Sequence, residues 1–142
     1  MVTASAAGSP SVLHRLEAVL LTCPLPLFLG GLLADIAYAR TYQIQWANFA
    51  AWLIAGAMVF CGLALAWSLF DLVRTSFRER RRLIVLLLLA GMFLLGLIDS
   101  FMHARDAWGS MPSGLVLSLI VTALAATVIW LGVLAPRREA RT

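Results

Sequence analysis

The chain has 142 residues, 62% of them hydrophobic and 13% charged, with a mean hydropathy of +0.93. Soluble domains are about 45–50% apolar and about 25% charged, and so short a chain has too little interior to hide the excess, so the composition excludes a soluble globular protein and calls for lipid. The net charge is +4 and the pI is near 10. All eleven Lys/Arg positions are arginines at or near the ends of apolar segments, which excludes a nucleic-acid face and reads as membrane topology, with some attraction to anionic head groups.

Taken in chain order, MVTASAAGSPSVL (1–13) is small and polar with no basic residue. A secretory signal needs a positive segment ahead of its apolar stretch, so a short disordered leader and an uncleaved first helix are expected. A spanning helix needs about 20 mostly apolar residues. Four stretches qualify: about 18–38 with Asp35 near its end, about 47–70 with no charge, about 83–102 with Asp99 and Ser100 near its end, and about 115–135, again uncharged. Runs such as LIVLLLLAGMFLLGLI lack the alternation of barrel strands. The links ARTYQIQW, DLVRTSFRERRR and HARDAWGSMPSG are short, which places neighbours antiparallel and side by side. The expected fold is all-α: an integral membrane four-helix up-down-up-down bundle over residues 14–135, followed by a basic tail at 136–142.

The arginines orient it. Arg15, the five at 74, 78, 80, 81 and 82, and the three at 137, 138 and 141 share one side of an even-span bundle, against Arg40 and Arg105 on the other. The positive-inside rule puts the nine, and both termini, in the cytoplasm, as in a multi-pass protein of a bacterial inner membrane. Trp46, Trp52, Trp67, Trp108 and Trp130 read as interfacial anchors. Pro24 and Pro26 are expected to kink or unwind the first helix. Gly56, Gly62, Gly91 and Gly96 form no GxxxG pair, so small residues here permit close approach without a dimer motif. Cys23 and Cys61 read as small buried hydrophobes. A weak internal echo pairs Asp35…Arg40…Trp46 with Asp99…Arg105…Trp108.

Ionisable groups at membrane depth are costly and each needs an explanation. One set, Asp35, Arg40, Asp99, His103, Arg105 and Asp106, falls on the outer side; the other, His14, Arg15, Glu17, Asp71 and Arg74, falls on the inner side. Asp99, His103 and Asp106 share one helix face at i, i+4, i+7, and an Asp four residues before a His orients or charges its imidazole. Such a cluster offers a site for a proton, a cation or a polar head group. The plainer reading is that Asp35 and Asp99 pair with Arg40, Arg105 or backbone donors and staple the outer helix ends. No metal-ligand spacing appears. Ser100 beside Asp99 lacks the elbow that acyl chemistry requires. His14 and His103 lie about 30 Å apart across the bilayer core, too far to share one haem; a haem held by one of them, or completed by another subunit, stays open.

Two segments resemble a known family. The stretch 14–71 carries His14, Leu16, Pro24, Asp35, Trp52, Gly56 and Asp71 in register, and 101–118 carries His103, Arg105, Asp106, Trp108, Pro112, Gly114, Leu115, Leu117 and Ser118. Both are similar to domain-of-unknown-function family 2231, small bacterial membrane proteins. Arg15, Glu17 and Ser68 depart from its pattern. The resemblance spans about residues 14–132 and implies four membrane helices without implying an activity.

The function expected is that of a non-enzymatic structural or accessory membrane component, with the lipid bilayer and other membrane subunits as partners, no nucleic acid and no cofactor. The alternatives are a redox subunit associated with haem or quinone, and a proton or small-solute permease. Against the last, the second and fourth helices offer no charge to carry a polar path.

Overall fold

A computed structural model of the chain describes residues 12–75, 80–104 and 110–135. Every regular element among them is helical: α1 (Val12–Thr22), α2 (Pro24–Thr41), α3 (Ile44–Thr75), α4 (Arg80–His103), α5 (Ser113–Ile129) and a π-helical turn, Trp130–Leu134. Four spans long and apolar enough to cross a membrane result, Val12–Thr41, Ile44–Arg74, Arg80–His103 and Ser113–Leu134. Val12 and Leu13 of the expected leader are helical; residues 1–11 and the tail at 136–142 lie outside the described residues.

The first span is two consecutive helices. Cys23 keeps right-handed helical dihedrals (φ −58°, ψ −35°) and its N–H reaches Val19 O at 3.0 Å. Pro24 then has no N–H to donate, so the ladder is interrupted there and α2 starts afresh. α2 closes at Tyr42, whose φ of 55° is left-handed, a position where helices usually place Gly. Its N–H returns to Tyr38 O at 2.8 Å, and the two rings meet edge to face at 6.4 Å.

Helix contacts run α2–α3, α3–α4, α4–α5 and α5–α2, a closed ring of four. The buried positions explain the ring. Between residues 47 and 64 α3 buries Ala47, Ala50, Ile54, Ala57, Cys61 and Ala64, with Leu72 buried near its end; α4 buries Val85, Leu89, Met92, Gly96 and Asp99; α5 buries Gly114, Ser118, Val121, Ala125 and Val128. Each series steps by three and four, the seven-residue repeat that keeps one stripe facing its neighbours along the bundle. The stripe of α3 is nearly all small, which brings backbones close where lipid supplies no hydrophobic drive for association. Gly96 marks the tightest crossing: a Cβ there would lie 2.6 Å from Met58 Sδ and 3.3 Å from Phe28 Cζ. Cys61 is fully buried and Cys23 partly so. Trp46, Trp52 and Trp130 are exposed on the outside of the bundle, where lipid or its interface would cover them; Trp108 lies outside the described residues.

Candidate functional site

The bundle has two polar levels. At the first, where α2 and α4 end and α5 begins, three helices contribute to one buried group. Asp35 sits six residues before the end of α2. Asp99 and His103 occupy the last turn of α4. Ser118 is one turn and a half inside α5. Asp35, Asp99 and Ser118 are wholly buried, and the His103 side chain is 1% exposed.

The imidazole lies between the two acids. His103 Nδ1 is 2.9 Å from Asp99 O, a carbonyl that can only accept, so this nitrogen carries a hydrogen and donates it. His103 Nε2 lies 2.8 Å from Asp35 Oδ1, where one proton is shared between ring and carboxylate. Ser118 Oγ lies 2.5 Å from Asp35 Oδ2 and 3.1 Å from Asp99 Oδ2. A hydroxyl has one hydrogen to give, so it donates along the shorter contact to Asp35. The longer contact is a hydrogen bond only when Asp99 Oδ2 itself carries a proton and donates to Ser118. Asp99 Oδ1, 3.2 Å from His103 Nδ1, has no hydrogen-bond partner among the described residues, because the Nδ1 hydrogen is directed at the carbonyl instead. Gly114 completes the wall: a Cβ there would lie 3.0 Å from His103 Cε1.

Of the residues expected on this side, the structure brings Asp35, Asp99 and His103 together. Arg40 is exposed at the end of α2 and makes no bond to Asp35, which the imidazole and the Ser118 hydroxyl already occupy. Arg105 and Asp106 lie outside the described residues. Ser100 makes no hydrogen bond to the cluster among the described residues. Ser118 and Gly114 were not read as site residues. The available signal was a hydroxyl and a glycine four residues apart on an otherwise apolar span.

At the second level, the end formed by α1, the close of α3, the start of α4 and the π-helical turn, the residues expected on the inner side also converge. His14, Glu17, Asp71 and Arg74 line one recess of about 350 Å3. His14 Nδ1 is 3.4 Å from Glu17 Oε2, Asp71 Oδ2 is 2.5 Å from Arg82 Nη1, and Arg74 lies over the Phe70 ring at 5.6 Å. Arg15 is exposed. Arg81 and Arg82, read from sequence only as orientation signals, are structural here. No group of three or more His, Cys, Asp or Glu side chains arranged to hold a metal occurs among the described residues.

Fold and polar levels together define an all-helical, four-span membrane protein with a buried Asp–His–Ser–Asp group near one end. The chain belongs to the family described as Predicted membrane protein (DUF2231), whose model matches residues 13–139. No curated protein and no solved structure matches it.

Proposed function

We propose that this protein is a non-enzymatic structural or accessory component of a bacterial inner membrane, in which the Asp35–His103–Ser118–Asp99 group clamps α2, α4 and α5 together near the outer face. The observation that carries the reading is mutual engagement: two acids, an imidazole and a hydroxyl from three helices lie within hydrogen-bonding distance of one another inside an apolar bundle, with Asp99 Oδ1 left over. In lipid such groups must find partners within the protein. The outward placement of the clamp, and cytoplasmic termini, rest on the nine-to-two arginine asymmetry.

The same engagement bears on the alternatives. Both ring nitrogens of His103 are engaged within the bundle, so an axial haem ligand would have to break one of those bonds. For a permease, the α3 stripe offers a path only Ala, Ile and Cys side chains. The test is detergent-purified full-length protein. Expected are no Soret absorption, no extractable quinone, and a large loss of thermal stability in His103→Gln. A Soret band that His103→Gln abolishes would overturn the reading in favour of the redox subunit. Proton flux into proteoliposomes that Asp99→Asn abolishes would overturn it in favour of the permease.

A further inference from the structure

The end of the bundle opposite the clamp carries a site of a different kind. Its origin is the π-helical turn. Ala135 N–H bonds to Trp130 O at 2.8 Å, one residue further back than an α-helix would have it, so Leu131 O loses its α-helical donor. Arg81, on the first turn of α4, fills the vacancy: its Nε donates to Leu131 O at 2.6 Å. Among the described residues that is the guanidinium's one hydrogen bond, and it fixes the plane of the group while both terminal nitrogens keep their hydrogens.

Arg81 lines two adjoining recesses, and Glu17 lines the same two. One of the two also takes in Asp71 and Arg82, which hold each other, and the apolar side chains of Leu72 and Val85. A fixed guanidinium is suited to a phosphate oxygen. The Glu17 carboxylate, whose partner is His14 at 3.4 Å, is suited to a cationic N–H donor. The level is that of lipid head groups: four spans end there, and Trp67 and Trp130 flank it, Trp130 on the exposed surface.

We infer that this end binds the head group of a zwitterionic phospholipid bearing a primary ammonium, phosphoethanolamine, with its phosphate on Arg81 and its ammonium on Glu17. The carboxylate separates this head group from its competitors. A phosphocholine ammonium has no N–H to donate, and a phosphoglycerol offers only a neutral hydroxyl, a weaker donor to a carboxylate.

The test is native mass spectrometry of the full chain in detergent with equal amounts of phosphatidylethanolamine, phosphatidylcholine and phosphatidylglycerol. The wild type is expected to retain phosphatidylethanolamine about tenfold over either rival, the worth of one charge-assisted hydrogen bond. Glu17→Gln, which leaves the Arg81–Leu131 bond intact on a half-exposed position, is expected to erase the preference for phosphatidylethanolamine over phosphatidylcholine while lipid is still retained. Arg81→Gln is expected to lower retention of all three. Equal retention of the three by the wild type, preference for phosphatidylglycerol, or a preference that survives Glu17→Gln would each overturn the assignment. Soluble glycerophosphoethanolamine is included at equal concentration. It is expected to leave the bound lipid in place, and displacement by it would overturn a lipid as the occupant.

Discussion

His103 has two ring nitrogens, and both are used inside the bundle, one by a carbonyl of its own helix and one by a carboxylate of another. His103→Ala would leave two buried acids without the imidazole that lies between them, and breaking a buried pair this way costs about 3–5 kcal/mol. Ser118→Ala removes a single interhelical hydroxyl, worth about 0.6–1.7 kcal/mol in a membrane bundle. The expected order in thermal unfolding is therefore His103→Ala well below Ser118→Ala, and Ser118→Ala below wild type; equal losses would show that the hydroxyl is as central as the ring. Gly114→Ala tests the same group from outside. The added Cβ falls 3.0 Å from His103 Cε1, so the ring must shift. We expect a loss of about 1–3 kcal/mol, the usual cost of overpacking. Its effect should be non-additive with His103→Ala in a double-mutant cycle, because the ring it displaces is then gone.

Among the elements, α3 carries the clearest division of labour. Ala57 is fully buried on the stripe, while Val59, two residues on, is 62% exposed on the outside. Ala57→Leu is expected to destabilise by about 1–3 kcal/mol through overpacking, and Val59→Leu to change little, read as midpoints in a detergent or denaturant titration. Little of this stripe was legible beforehand. In a soluble helix the core face is marked by apolarity against polar neighbours, but here both faces are apolar and only side-chain size separates them. Ala47, Ala50, Ala57 and Ala64 spell the repeat in small residues, a signal that hydropathy does not read. The break ahead of Pro24 was legible, because a missing N–H acts locally whatever the surroundings.

At the scale of the whole molecule, orientation remains the proposal with the sharpest test. In a chain with Cys23 and Cys61 replaced, a cysteine at exposed Tyr42 is expected to react with an impermeant maleimide applied to intact cells. One at exposed Arg74 should react only after the membrane is permeabilised; the reverse pattern would invert the bundle. The sequence by itself determined the four spans, their helical character and the short links, because lipid imposes length and backbone satisfaction on any segment that crosses it. It also placed Asp35, Asp99 and His103 at one level, since residues near matching helix ends arrive at the same depth. Tertiary structure alone decided which polar atoms meet. Helix rotation about its own axis selects Ser118 rather than Arg40 as the partner of Asp35, and the π-helical turn frees the one carbonyl that fixes Arg81. Both depend on how neighbouring helices interlock, which no single segment encodes.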